Sequence, residues 1–204
     1  MTGISEIRGV AVPFGYSGVD TDAMFPVSGE AIAAEQGFGA ALFARWRSDP
    51  DFILSKPVYA GARILVADTD FGIGSSRETA VWALKGAGFL AVLAPSFGDI
   101  FRSNCVRNGV LAAVIDPAAR ERVHAYLVAR PGAELVADVV AGTVGPADGS
   151  FTEELAIDGF ARHCLVSGID EFGLLAGYQV SIDQALAAAG PLPPGTHRIT
   201  GSDS

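Results

Sequence analysis

ARILVADTDFGIGSSRETAVWALKGAGFLAVLAPSFGDIFRSNCVRNGVLAAVID, residues 62–116, is the stretch from which the fold is read. Ala62 to Ala67 has the apolar run of a buried strand, Asp68 to Gly74 reads as a loop, and Ser75 to Lys85 carries helical spacing that ends near Gly86. Phe89 to Ala94 predicts a second buried strand stopped by Pro95, and Ser96 opens a short helix that finishes before Gly109. Val110 to Ile115 is a third strand. Asp116 then stands as an N-cap before Pro117, whose missing N–H costs nothing at the first helical position, so Ala118 to Ala129 follows as a helix. Strands that alternate with helices need crossover connections, which implies a largely parallel sheet.

Outward from this unit the pattern changes. Upstream, Glu6 to Pro13 is a strand candidate followed by the turn-rich run FGYSGVDTD; Met24 to Gln36 carries conflicting helix and strand signals. Phe38 to Trp46 reads as a short helix closed by Pro50, with Phe38, Leu42, Phe43 and Trp46 on a core-facing side. Downstream, Glu134 to Val140 and Phe151 to Ile157 read as two strands joined by a Gly-, Pro- and Asp-rich turn at Gly142 to Gly149, an antiparallel or mixed addition. Helical pieces are expected at Phe160 to Val166, Asp170 to Leu175 and Ile182 to Ala189. Together these predict one compact α/β domain over residues 1–190 with a C-terminal tail at 191–204.

Composition narrows the function. Half of the 204 residues are hydrophobic and 18% are charged, enough apolar surface for a sizeable core. The net charge of −9 argues against a nucleic-acid or anionic-membrane partner, which this field would repel. The longest apolar runs are strand-sized, so no membrane span is expected. No basic region followed by an apolar segment marks the N-terminus as a secretory signal, and the expected location is the cytoplasm. Two cysteines, Cys105 and Cys164, are too few to scaffold disulfides or to hold an iron–sulfur cluster alone. Neither Cys105 nor the adjacent His163–Cys164 pair has metal-ligand spacing, and all three read as packing residues.

The chemistry concentrates in DTDFGIGSSRETAVWAL. A strand enters a loop holding Gly72 and Gly74 and leaves through a helix starting at Ser75 or Ser76, so backbone N–H groups and the positive end of a helix dipole converge where an anion can sit. Arg77 adds a permanent charge whose planar fork takes a carboxylate or phosphate bidentately. Ser75 and Glu78 also have the spacing of a capping box, which accounts for one serine but not for the second hydroxyl, the cation and the two glycines. The third glycine of a dinucleotide fingerprint and a Walker lysine are missing, and there is no G-x-S-x-G elbow. Ser96 and Asp99 read as a second capping box. Asn108–Gly109 reads as a helix stop, with Asn104 and Asn108 as secondary site candidates. Asp20, Thr21 and Asp22 can bind a cation or orient a ligand, but short polar clusters ordinarily form turns.

VDTDAMFP (19–26), GFGAALF (37–43), FGIGSSRETAVWAL (71–84), APSFGDIFRSNCVRNGVL (94–111) and RHCLVSGIDEFGLL (162–175) together resemble the small-subunit family of 3-isopropylmalate dehydratases, the swivel-domain branch of the aconitase superfamily. The resemblance implies a swivelling β/β/α domain that docks on a large subunit carrying a four-iron four-sulfur cluster. It implies a di- or tricarboxylic hydroxy acid as substrate and reversible dehydration and rehydration as reaction. On this reading Ser75 is the base that takes a proton from the carbon next to a carboxylate, and Arg77 clamps a carboxylate. Ser76 donates to that carboxylate, and Gly74 with Asp20, Thr21 and Asp22 lies beside the site. Ile73, Thr79 and Val27 depart from the usual cysteine, histidine and lysine, which keeps open a related hydratase acting on citraconate, a dimethylmalate or another methyl-branched acid. A noncatalytic carboxylate-binding assembly module is the remaining alternative, and self-association of isolated copies is left open.

Overall fold

The computed structural model describes residues 3–75 and 77–169. The chain divides into two units, residues 1–170 and 171–204. The second unit, with the helices expected at 170–175 and 182–189 and the boundary expected at 190, lies outside the described residues.

Seven strands close into a barrel in the order β1-β2-β3-β4-β7-β6-β5. β1 (Glu6–Pro13), β2 (Ile64–Val66), β3 (Ala91–Ala94) and β4 (Leu111–Ile115) run parallel, in registers such as Ala11 opposite Ile64, Ile64 opposite Ala91 and Ala91 opposite Leu111. β5 (Glu134–Asp138), β6 (Thr143–Pro146) and β7 (Glu153–Ala156) are antiparallel to their neighbours and carry the sheet from β4 back to β1. The mixed sheet matches the sequence reading; its closure does not follow from that reading. Residues 142–149, expected as a bare turn, contain β6. Its Val144 packs in the core while the Gly145 backbone pairs with Val136, so strand pairing overrides the low strand propensity of the glycine and proline there.

Helices cover the sheet. α1 (Thr21–Met24), α2 (Gly29–Gln36) and α3 (Phe38–Ala41) follow β1; α4 (Glu78–Gly86) links β2 to β3 and α5 (Asp99–Arg107) links β3 to β4. α6 (Pro117–Ala129) starts as expected, with Asp116 accepting from the Ala118 and Ala119 N–H groups, and α7 (Gly159–Ser167) follows β7. Because side chains alternate across a strand, the parallel strands feed two cores. Val12, Leu65, Val92 and Ala112 meet α3, α4 and α5, whereas Ala11, Ile64, Ala91 and Leu111 meet Val123 and Leu127 of α6 and Leu135 of β5.

The helix expected over Phe38 to Trp46 stops at Ala41. Leu42 is extended and Phe43 takes φ +52°, a left-handed conformation that costs a bulky residue about 1 kcal/mol or more. That conformation delivers the Phe43 ring to Phe14, Trp46 and Phe52, at centroid separations of 5.1, 5.1 and 5.9 Å. Such pairs contribute about 0.5–1.5 kcal/mol each beyond burial, enough to offset the backbone term. Arg47 satisfies the Leu42 carbonyl that the broken helix leaves over, donating to it from Nε at 2.9 Å, and ties it to a later turn by donating from Nη1 to the Leu54 carbonyl at 3.0 Å.

One cation braces the end of β2. Arg120 of α6 is buried, donates from Nε to the Ala67 carbonyl at 3.0 Å and holds Nη2 3.4 Å from the Asp68 carboxylate. Arg120→Ala is expected to destabilise the chain by about 2 kcal/mol, less than the ~3–5 kcal/mol of a fully buried pair because Asp68 is partly solvated, read as a lower urea midpoint. One turn further along α6, burial and then the Arg120 charge hold the His124 imidazole below its ordinary value, against a hydrogen bond to the Pro13 carbonyl. Below the unfolded value of about 6.5 the unfolded chain therefore binds a proton that the folded chain resists, and stability falls as pH drops through that window. Between about pH 7.5 and 5.5 the melting temperature is expected to fall further for the wild type than for His124→Gln.

Candidate active site

The parallel strands β1, β2 and β3 end on the same side of the sheet, and ligands of α/β sheets bind outside such carboxyl ends. Three loops meet there. Gly72 and Ile73 donate their N–H groups to Val19 at 2.7 and 3.2 Å, and Thr21 donates back to the Ile73 carbonyl at 3.0 Å. On the other side Phe71 donates to Ser96 at 3.1 Å and Gly98 to Phe71 at 3.0 Å. The segment after β2 is thus the middle strand of a miniature parallel ladder, with bridges Asp20–Ile73 and Phe71–Phe97.

Gly72 and Gly74 both take positive φ, +73° and +88°, a region in which a side chain is strained. At Gly72 a Cβ would also collide with the Phe101 ring of α5. The glycines therefore let the loop turn tightly over α5 and bring Ser75 to the surface, where its side chain is exposed.

The DTD run, whose turn reading and ligand reading compete in the sequence, joins the serine loop directly. Asp20 caps α1, accepting from the Ala23 N–H at 2.6 Å. Buried Thr21 donates from Oγ1 to the Ser75 carbonyl at 2.5 Å. Asp22 pairs with Arg77, Nε to Oδ1 at 2.9 Å, and about a third of the Arg77 side chain remains exposed. Asp20, Thr21, Asp22, Gly74, Ser75 and Arg77 are consequently neighbours; Ser76 lies outside the described residues.

Neither expected capping box forms. α4 begins only at Glu78, with Arg77 as an extended N-cap residue that makes no side-chain cap bond, so Ser75 stands outside the helix. Glu78 instead accepts from Asn108 Nδ2 at 2.9 Å, and Asn108 also accepts from Trp82 Nε1 at 3.0 Å. Asn108 itself terminates α5. Ser96 is likewise outside α5, which has Gly98 at its N-cap. Its hydroxyl accepts from the Asp70 N–H at 2.7 Å and donates to the Asp70 carboxylate at 2.8 Å, which holds Asp70 at φ +59°. Local capping loses in both places because the loops have partners from distant elements. The Thr21–Ser75 and Ser96–Asp70 contacts span 54 and 26 residues and have no local sequence signal.

A cleft of about 230 Å³ opens at this point, lined by Ser75, Ile73, Gly74, Asp99, Ile100 and Phe101 among others. The cleft brings the exposed Ser75 and the glycine loop against the first turn of α5; Arg77 and the start of α4 follow Ser75 in the chain and add a guanidinium and free N–H groups, donors suited to holding a carboxylate. It offers no cluster site. Among the described residues no three His, Cys, Asp or Glu side chains gather as a metal site, and Cys105 and Cys164 are both buried. Burial pushes the Cys105 thiol well above its ordinary value, away from the thiolate a metal needs. His163, expected as a packing residue, is exposed, because its helical position faces solvent while the next residue turns inward. No helix among the described residues is long and apolar enough to cross a membrane.

A family profile for the aconitase C-terminal domain matches residues 1–118. The chain is 42% identical over 185 residues to the 3-isopropylmalate dehydratase small subunit of Rubrobacter xylanophilus, covering 90% of this chain and 93% of that one. It is 45% identical over 175 residues to the small subunit of the same name from Micrococcus luteus, covering 86% of each. The crystal structure of a 3-isopropylmalate dehydratase from Methanocaldococcus jannaschii superimposes with a TM-score of 0.66 at 25% identity, over 89% of this chain and 99% of that chain. These relatives favour the isopropylmalate reading over a methyl-branched acid or a noncatalytic module, despite Ile73, Thr79 and Val27. The chain belongs to the 3-isopropylmalate dehydratase small-subunit family, hydro-lyase components built on the aconitase C-terminal domain.

Proposed function

We propose that this chain is the small subunit of a heteromeric, cytoplasmic 3-isopropylmalate dehydratase that interconverts 2- and 3-isopropylmalate by dehydration and rehydration in leucine biosynthesis. The observation that carries the site assignment is the double link between the DTD run and the serine loop, Thr21 to the Ser75 carbonyl and Asp22 to Arg77. It makes one rigid constellation of residues that come from two loops.

In this reading the Arg77 fork receives a substrate carboxylate, and Asp22 orients the fork through Nε. The amides beside Gly74 and the hydroxyl of Ser76 add donors to the same carboxylate. Ser75 takes the proton from the carbon next to it. A serine hydroxyl is a very weak base, so the site has to stabilise alkoxide character, through the start of α4, nearby N–H groups and the guanidinium. Asp20 fixes the entry of α1, and Thr21 fixes the Ser75 backbone; both are positioning residues. The four-iron four-sulfur cluster belongs in this proposal to the large subunit, no metal-binding group being found among the described residues, and would act there as the Lewis acid.

The test is reconstitution. The chain alone is expected to be colourless and inactive, and to gain isopropylmalate turnover when combined with a cluster-loaded large subunit. Ser75→Ala should lower kcat by roughly 10²- to 10⁴-fold in that complex without weakening assembly, measured by steady-state kinetics and by co-elution of the subunits. Undiminished turnover in the variant would remove Ser75 from the role of base. Arg77→Lys keeps the charge but loses the fork, and kcat/KM is expected to drop about 10- to 100-fold.

A further inference from the structure

The first residue of α4 is an acid placed to compete with a substrate carboxylate. Glu78 follows Arg77 directly and opens the helix whose start offers donors to an anion. Its spacing from Ser75 suits a local capping box, in which the Ser75 hydroxyl accepts from the Glu78 N–H and the Glu78 carboxylate accepts from the Ser75 N–H. That arrangement would tie up the hydroxyl as a helix cap. It would also set a second carboxylate beside Arg77, whose Nε already holds Asp22.

In the structure one side chain takes Glu78 elsewhere. Asn108, at the end of α5, donates from Nδ2 to Glu78 Oε1 and to the Asn104 carbonyl, both at 2.9 Å, and accepts at Oδ1 from Trp82 Nε1 at 3.0 Å. Lys85 Nζ donates to the Asn108 carbonyl at 2.7 Å. Glu78, Trp82 and Lys85 are four and three residues apart and share one face of α4. The sense of the amide is fixed by its partners, because an indole N–H can only donate and an ionised carboxylate can only accept. The bonds from Trp82 and Lys85 tie α4 to the end of α5; the bond to Glu78 decides where the first acid of the helix points.

We propose that Asn108 is a positioning residue that holds the Glu78 carboxylate away from Ser75 and Arg77, so that the donors at the head of α4 stay open to the carboxylate of the substrate. The inference rests on the assignment of Ser75 and Arg77 to substrate. Asn108 touches neither the substrate nor the reacting atoms and acts through Glu78 alone.

Asn108→Asp tests it. The variant is isosteric and keeps an acceptor for Trp82 and the carbonyl for Lys85, but it faces Glu78 with a like charge and expels it. In the reconstituted complex the KM for 3-isopropylmalate is expected to rise about 3- to 10-fold, the scale of one carboxylate engaging a helix start or a charged partner. Bound substrate displaces Glu78, so kcat is expected to change by less than about twofold. Adding Glu78→Ala to Asn108→Asp removes the competitor and should return KM to within about twofold of the wild type, although the double variant lacks the contact altogether. Folding is checked by the melting temperature and by co-elution with the large subunit, and Asn108→Ser with the same second change takes the place of a poorly folded Asn108→Asp. An unchanged KM in the single variant, or a raised KM that Glu78→Ala does not restore, overturns the role of Asn108 and leaves the enzyme assignment intact. A wild-type complex without isopropylmalate turnover overturns the assignment and this inference with it.

Discussion

The ladder that ties residues 71–73 to Val19 and Thr21 on one edge and to Ser96 and Gly98 on the other is the constraint on which the site depends. Each backbone bond contributes only about 1 kcal/mol net, but their joint effect is geometric. A loop with two glycines has many conformations in isolation, and pinning both edges removes nearly all of them. Ser75 then leaves the ladder with its carbonyl already held by Thr21. In the proposed function this preorganisation serves a weak base, because the donors around it need no rearrangement when charge develops.

The same economy explains why the scaffold below the site is so apolar. β2 and β3 are buried on both faces, as parallel strands covered by helices on one side and by α6 on the other must be. Their ends cannot fray without opening two cores at once. Arg120 closes the point where that rigid sheet hands over to the polar loop, bonding the last carbonyl of the β2 run and facing the first carboxylate of the loop. The aromatic cluster around Phe14 and Phe43 performs the corresponding task after β1, packing the segment that leaves the strand against the residues that follow α3.

How far the sequence discloses this depends on whether the deciding interaction is local. β1, the three strands of the middle, α6 with its Asp116 cap, and α7 follow from apolar runs and caps within a few residues, and they stand close to where those signals put them. The breaks come where distant partners outbid local ones. The short α3 yields to the Phe14 cluster, β6 arises from pairing with β5 and β7, and the two capping boxes yield to Asn108 and Asp70. Ser75, Arg77 and the glycines were legible as an anion loop from their types and spacing. That the DTD run would be their immediate neighbour was legible only through family resemblance, since nothing in the chemistry of Asp20, Thr21 and Asp22 separates a turn from a ligand loop.

Charge around the cleft adds a last constraint. Asp99 lines it, Asp20 lies against Gly74, Asp22 pairs with Arg77, and the whole chain carries −9. A dianionic acid approaching this subunit alone meets a field that opposes it, and the exposed cleft lets water screen what attraction Arg77 provides. A low-dielectric, positively biased enclosure is what both a carboxylate clamp and an alkoxide require. In the proposed function that enclosure is completed by the large subunit, so the small subunit contributes a preformed hydroxyl and fork whose basicity and affinity develop only when a second surface shuts out solvent. In that proposal the division of labour follows from electrostatics: the fork and hydroxyl offered by the small subunit engage substrate only once the large subunit covers them.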